Sequence, residues 1–292
     1  MVPVDRCAVC DGTDLLPYSF VASRRERLHW AQVRCTGCGL LISQPRASLD
    51  EITRFYRDTY YAGELADAAA IDHTSEPFFE RYDLPLVKEL WSDWPPPAGA
   101  SVVDVGCGYG SAFAPLARLG YRVVGCEPSP HAVAYCRSLG RDVREGVIPD
   151  VQFDEPFDVA LSLQVIEHVT DVRAFVRALV ATTRPGGVVV ITTEDAWNTQ
   201  HAWERLIDRV RFRFPRFRSA FEHTYLFSAP HLERLLREAG CDDVRTRSYS
   251  FMPAESLHWR LYKGAFRTLD RLLGRGDWLM AVGRVNPGGR TL

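Results

Sequence analysis

The residues with the plainest chemical meaning are cysteines, in two pairs near the start of the chain: Cys7-Ala8-Val9-Cys10 and Cys35-Thr36-Gly37-Cys38, each close to a glycine (Gly12; Gly37 and Gly39). A Cys-x-x-Cys turn can aim two thiolates at one ion while backbone amides stabilise the sulfurs, and two such turns complete a tetrahedron with no position left for water. Cys7, Cys10, Cys35 and Cys38 are therefore the expected ligands of a structural Zn2+. In so short a segment the metal would supply most of the folding free energy, on the order of 10–16 kcal/mol in zinc-finger peptides. A redox role for one pair would leave the other unexplained, and disulfides are disfavoured in a cytoplasmic chain. Cys107, Cys126, Cys136 and Cys241 sit in apolar segments and read as small core residues.

A second chemical signature begins at Ser101. Ser101-Val102-Val103-Asp104-Val105 reads as a short buried strand running into Gly106-Cys107-Gly108-Tyr109-Gly110 and then a helix that ends at Leu119-Gly120. Strand, glycine-rich turn and helix form the nucleoside-cradling unit of doubly wound folds. The next strand, Tyr121 to Cys126, ends in Glu127, where a carboxylate can accept both hydroxyls of a ribose in bonds of about 1.5–3 kcal/mol. The alternative is that Glu127 only caps the helix opened by Pro128-Ser129-Pro130. Dinucleotide sites favour Gly-x-Gly-x-x-Gly with pyrophosphate on the helix N-terminus. Here the spacing is Gly-x-Gly-x-Gly, and Asp104 just before it would repel a pyrophosphate but suits a cationic amino group.

At this point the chain resembles the class I S-adenosylmethionine-dependent methyltransferases. The resemblance continues through Phe157 to Val169, similar to the family's fourth strand and following turn, and through Arg184-Pro185-Gly186-Gly187 with Val188 to Thr192, similar to its helix break and fifth strand. It implies an α/β fold, a doubly wound Rossmann-like sheet of seven strands, with Trp278 to Gly283 as the final antiparallel strand. It also implies S-adenosyl-L-methionine as cofactor. By the same resemblance Asp104, Gly106, Gly108 and Gly110 surround the methionine part, Glu127 holds the ribose, Val147 and Ile148 flank the adenine, and Gln164 approaches the sulfonium. The cysteine pairs resemble those of a subset of this family in which a zinc module precedes the core, many of whose members act on activated sugars or natural-product intermediates.

Methyl transfer is an in-line displacement at an already activated carbon, so a base is needed only where the acceptor must lose a proton. His223 and His168 are the candidates, with Glu222, Glu167 and Tyr225 as neighbours. Against this, His223 could simply bond backbone at the entry to the next helix, and His168 could be scaffolding. Arg209-Val210-Arg211-Phe212-Arg213-Phe214-Pro215-Arg216-Phe217-Arg218 interleaves arginines with aromatics and could clamp a phosphate or carboxylate; a solvated helix face is the alternative. Phe55-Tyr56-Arg57-Asp58-Thr59-Tyr60-Tyr61 is a candidate lid. The expected reaction is methylation of a small-molecule acceptor, an anionic one if the arginines bind it, in secondary metabolism. A ribosomal or transfer RNA methyltransferase with an N-terminal zinc module is the alternative. The formal net charge of −2 argues against a nucleic acid partner.

The elements that must position these groups divide the chain into a zinc-binding module (1–46), a helical linker or lid (47–97) closed by Pro95-Pro96-Pro97, and a methyltransferase core (98–292) with a substrate insertion at about 195–225. In the linker, Leu49, Ile52, Phe55 and Tyr56 share one helical face. Of the 292 residues 46% are hydrophobic and 25% charged, an ordinary globular balance. The sequence lacks the run of about 18 apolar residues that a membrane span requires, and Met1 to Arg6 lack the apolar core of a secretory signal, so a cytoplasmic enzyme is expected. Oligomeric state is not legible.

Overall fold

The structure, a computed structural model, describes residues 2–22, 29–60, 75–210, 223–250, 264, 268–270 and 272–288. It begins with an antiparallel ribbon, β1 (Leu15–Ala22), β2 (His29–Cys35) and β3 (Leu41–Gln44). Ser48 then starts α1 (Leu49–Phe55) with a capping box: its hydroxyl accepts from Glu51 N–H while the Glu51 carboxylate bonds back to Ser48 N–H. A π-helical turn follows (Tyr56–Tyr60), and further on a helical stretch leads into α2 (Leu84–Leu90).

From Ser101 the chain builds a seven-stranded sheet. Its strands are β4 (Ser101–Val105), β5 (Arg122–Glu127), β6 (Asp142–Glu145), β7 (Phe157–Leu163), β8 (Thr183–Glu194), β10 (Cys241–Tyr249) and β11 (Trp278–Val285), in the order β10-β11-β8-β7-β4-β5-β6. The strands from β4 to β8 are parallel, and β11 runs antiparallel to both β8 and β10. This is the seven-stranded doubly wound sheet expected, with its final antiparallel strand. After β4 the chain winds outward through β5 and β6, then returns to lay β7 and β8 on β4's other side. The strand order therefore reverses at β4, and a crevice opens at the carboxyl ends there.

Alternation along the strands sorts the core into two layers. Val102, Val159, Leu161, Val190, Met280 and Val282 pack with Phe79, Leu84, Val87 and Trp91 from the helical linker. Val103, Ala160, Val189, Ile191, Leu279 and Ala281 face the other way. There they meet α5 (Val172–Ala181) and α7 (Ala229–Glu238). Asp171 caps α5 by accepting from Ala174 N–H at 2.9 Å, and Val172, Phe175, Val176, Leu179 and Val180 are its buried face, each contributing about 1.5–3 kcal/mol by burial. On the sheet's outer turns lie α3 (Phe113–Arg118) and α4 (Pro130–Ser138), with α6 (Thr199–Val210) after β8.

The ribbon does not stand apart from this core. A short strand, β9 (Tyr225–Leu226), pairs antiparallel with β3 as the fourth strand of the ribbon's sheet. Val9, Leu40 and Ile42 belong to the same buried cluster as Tyr225, Phe227 and Leu232. Arg173 of α5 bonds the carbonyl of Val9 at 2.5 Å and pairs with Asp11 at 2.9 Å. Among the described residues no helix is long and apolar enough to cross a membrane.

Candidate active site

The turn after β4 is built so that backbone, not side chain, lines its floor. Gly106 has φ 75°, and a Cβ there would stand 2.5 Å from Val165 Cγ2, a contact that backbone this tightly held cannot relieve. Its N–H donates to Cys126 O at 2.7 Å, tying the turn to β5. Glu127 at the end of β5 completes the tie: its Oε2 accepts from Gly108 N–H at 3.0 Å and its Oε1 from Ser129 N–H at 2.9 Å. The carboxyl is pushed up to about 7 by burial, against the lowering effect of those two bonds. Ser129 in turn caps α4. Glu127 bonds the N–H of the residue that caps α4 rather than capping the helix itself, and it also faces the crevice.

Asp104 lies one strand over, 1% exposed. Burial first, and then the charge of Glu127, push its carboxyl up to about 7. Its Oδ1 is buried without a hydrogen-bond partner. A buried carboxylate oxygen in that condition is costly, and a cation donating to it would relieve the cost. At the end of β7, Gln164 takes a left-handed backbone, φ 57°, which a non-glycine residue adopts only when its surroundings impose it. Its N–H bonds Thr192 O at 3.0 Å, and its side-chain amide donates to Glu167 Oε1 at 3.0 Å while accepting from Thr193 N–H at 3.2 Å.

These residues line one cavity of about 790 Å³ at the carboxyl ends of β4, β5, β7 and β8, within the roughly 300–1,000 Å³ typical of ligand sites. Asp104, Gly106, Gly108, Glu127, Val147, Ile148, Gln164, His168 and His223 all border it. Gly110 is not among the bordering residues; a Cβ there would meet Arg141 Nη1 at 2.8 Å and Phe113 at 3.1 Å, so its side faces α3. Leu49, Ile52, Thr53 and Tyr56 of the helical segment border the cavity too.

At the end away from Glu127 the two histidines come together. Their ring centroids are 4.9 Å apart, and Tyr56 sits edge-on to His168 at 5.4 Å. Glu194, the last residue of β8, brings Oε2 to 3.5 Å from His223 Nδ1. Glu167 is 1% exposed, and burial pushes its carboxyl up to about 7, with the neighbouring His223 acting in the lowering direction. Its backbone carbonyl accepts from Thr224 N–H at 2.8 Å, holding the chain just after His223. Sequence reasoning missed Glu194 and also Asp83, a buried carboxyl in the cavity wall whose Oδ1 accepts from Tyr249 O–H at 2.6 Å. The signal for Glu194 was available: an acidic residue at the carboxyl end of a parallel strand lies where the crevice opens. Glu222 and the arginines 211, 213, 216 and 218 lie outside the described residues, as does Tyr61 of the candidate lid.

The four N-terminal thiols converge as their spacing suggested. Cys7 Sγ is 3.5 Å from Cys38 Sγ, Cys10 Sγ is 3.4 Å from Cys35 Sγ, and all four lie within 4.8 Å of one another. A tetrahedron with metal–sulfur bonds of about 2.3 Å has edges of about 3.8 Å, so the donor set fits a four-thiolate ion with little rearrangement. Hydrogen bonding from the Cys38 thiol holds Cys7 down to about 5 while raising Cys38 itself. The pair already favours one thiolate. Cys107, Cys126, Cys136 and Cys241 are buried.

A doubly wound seven-stranded sheet with a glycine turn at its switch point and acidic residues on its first two strands defines a class I S-adenosylmethionine-dependent methyltransferase. The model of the methyltransferase-domain family matches residues 78–246, more than half of the chain, and the chain belongs to that family. Among curated proteins it is similar to a ubiquinone biosynthesis O-methyltransferase of Rhodopseudomonas palustris, 38% identical over 102 residues, which are 33% of this chain and 40% of that one. A protein of the same name from Methylobacterium nodulans is 32% identical over 162 residues, 51% of this chain and 64% of that one. The match covers less than two thirds of either relative. Among solved structures, a chain from the complex of the Haloferax volcanii Trm112 methyltransferase activator with a protein described as a methyltransferase superposes with TM-score 0.56 at 19% identity. It covers 77% of this chain and 97% of that one, a likeness of fold.

Proposed function

We propose that the protein transfers a methyl group from S-adenosylmethionine to the hydroxyl of a small-molecule acceptor, with His223 as the base. The observation that carries this reading is the contact of His223 Nδ1 with Glu194 at 3.5 Å, at the end of the cavity bordered by Gln164. The curated relatives, named as O-methyltransferases, support oxygen as the accepting atom. Bound S-adenosylmethionine supplies a methyl carbon activated by its sulfonium. Asp104 would hold its amino group, Gly106 and Gly108 would let the methionine chain lie against bare backbone, Glu127 would accept from the ribose, and Val147 and Ile148 would flank the adenine. Gly110, at φ 77°, would let the turn run into α3. Nε2 of His223 would take the hydroxyl proton as the oxygen attacks, Glu194 would stabilise the resulting imidazolium through Nδ1, and His168 would orient the acceptor.

The rings of Tyr56, His168, His223 and Trp278 border the cavity, as do the carboxyl groups of Asp83, Glu167, Asp171 and Glu194. The aromatic lining supports a flat, hydroxylated molecule of the natural-product type; the arginines that would bind an anionic one lie outside the described residues. The four cysteines would hold one structural Zn2+ with no role in the chemistry. The test is methyl transfer from labelled donor to a panel of small hydroxylated aromatic compounds. His223→Gln should lower turnover of any accepted compound by about 10²–10⁴-fold, the usual contribution of a positioned base, with donor affinity unchanged. Turnover within twofold of the parent would remove the base assignment while leaving the family membership intact.

A further inference from the structure

The ribbon bonds the backbone of His223 directly. From this residue onward, other parts of the fold grip the chain. Two elements do so from opposite sides. The core side is the carbonyl of Glu167, which accepts from the N–H groups of Thr224 and Tyr225. The other side is β3. Ser43, 7% exposed, donates its hydroxyl to the His223 carbonyl at 2.7 Å, and its N–H donates to Thr224 O at 2.9 Å. The pairs Ile42–Tyr225 and Leu41–Leu226 continue the same ladder.

The grip leads back to the cysteine cluster through a few residues of stiff chain. Cys35 N–H bonds Leu40 O at 2.9 Å and Gly39 N–H bonds Cys35 O at 2.9 Å, so the second cysteine turn closes directly onto β3. A second tether reaches the far side of β9. His231 Nε2 lies 3.0 Å from Cys38 O, while its Nδ1 is 3.0 Å from both Ser228 N and Ser228 Oγ. A carbonyl only accepts and a backbone N–H only donates, so the proton sits on Nε2 and the ring is a fixed strut. The segment 223–231 is thereby pinned at both ends to the cysteine module, while the donor half of the cavity makes none of these contacts.

We infer that Ser43 is a positioning residue for His223, and that the metal-ordered ribbon acts through it to hold the acceptor end of the cavity in register with Glu194 and His168. This rests on His223 having a role in the reaction, but the contact itself does not. Losing it should let the imidazole drift without disturbing Asp104, Gly108 or Glu127, and a displacement approaching 1 Å can cost about 10²-fold in rate.

The experiment reads the imidazole directly, so it needs no acceptor. Protein uniformly labelled with nitrogen-15 and saturated with S-adenosylhomocysteine is studied by imidazole-detected nuclear magnetic resonance, with the His223 signals assigned by their loss in His223→Gln. In Ser43→Ala these signals should shift or broaden, while the Gly106 and Gly108 amide signals and the affinity for S-adenosylhomocysteine stay within twofold of the parent. Ser43→Thr, which keeps the hydroxyl, should restore them. Stripping the metal with a chelator should move the same His223 signals as Ser43→Ala does. Unchanged His223 signals in a folded Ser43→Ala protein would overturn the inference. So would failure of Ser43→Thr to restore them, or a chelated protein that stays folded with His223 unmoved. Loss of the glycine amide signals in Ser43→Ala would overturn it too, because the effect would then be general unfolding. If His223→Gln proves fully active, the base reading fails, and the signals still decide whether Ser43 positions the ring.

Discussion

Replacing Asp104 by asparagine should strengthen the free protein and cripple donor binding, at the same residue and with opposite signs. The carboxyl is displaced from its ordinary 3.8 to about 7, which at 1.36 kcal/mol per pH unit is about 4 kcal/mol against the ionised form above pH 7. The native state therefore holds a proton that the unfolded chain has released, and stability falls as pH rises between about 4 and about 7. Above that window the penalty is fully present; below it, absent. Asparagine cannot ionise, but it buries an amide whose polar atoms also need partners, at a cost of about 1–3 kcal/mol. A net gain of about 1–3 kcal/mol remains at pH 8. At about 2–4 °C per kcal/mol for a chain of this class, calorimetry of the ligand-free Asp104→Asn protein should show Tm raised by roughly 2–12 °C at pH 8, with the gain gone near pH 4. Titration calorimetry should show donor affinity weakened about 10- to 150-fold, equivalent to one charge-assisted bond of about 1.5–3 kcal/mol. A variant that melts no higher than the parent at pH 8, or that binds the donor equally well, refutes the reading of Asp104 as a carboxylate held in reserve for a cation.

Glu127→Ala removes an acceptor from the N–H groups of Gly108 and Ser129 as well as from a ribose; donor affinity should fall at least about tenfold, and an unchanged dissociation constant by calorimetry would dismiss the ribose assignment. The purified protein should carry one equivalent of zinc by elemental analysis, lost when Cys35 and Cys38 are both replaced. Retention of a full equivalent by that double variant would place the ion elsewhere.

What was legible in the sequence was what is decided locally. Asp104, Gly106, Gly108 and Glu127 sit within one strand–turn–helix–strand unit, where the backbone geometry that needs glycine and the strand ends that need acids are separated by few residues. The cysteine pairs were legible for the same reason, since each turn presents both of its sulfurs. The acceptor end was only half legible. His168 and His223 could be named from their types, and Glu194 could have been from its place at the end of a parallel strand, but nothing in the chain announced that Glu194 would meet His223, or that Asp83 would cross to Tyr249. Ser43 and His223 are 180 residues apart, and a two-residue strand such as β9 has too few side chains to show a period. Such partners are fixed by the packing of the ribbon on one face of the sheet and of the helical linker on the other, a tertiary fact to which local propensity is blind.

That difference in range divides the enzyme into parts of unequal robustness. The donor half of the cavity is carried by β4, β5 and β7, whose side chains fill both core layers, so it should open only when the whole sheet does. The other end is assembled from α1, the end of β8 and the residues around β9, behind which the ribbon pairs with β9. The ribbon's own sheet is held to the core by β9, by Arg173 and by its share of one hydrophobic cluster. In a small module the metal supplies most of the folding free energy, and regions with few independent contacts open first. On the proposed reading, acceptor engagement would depend on the integrity of the thiolate cluster more than donor binding does, because β9 and His223 bond the ribbon directly. A closed four-sulfur centre that touches no substrate would in this way still bear on the rate of the proposed chemistry.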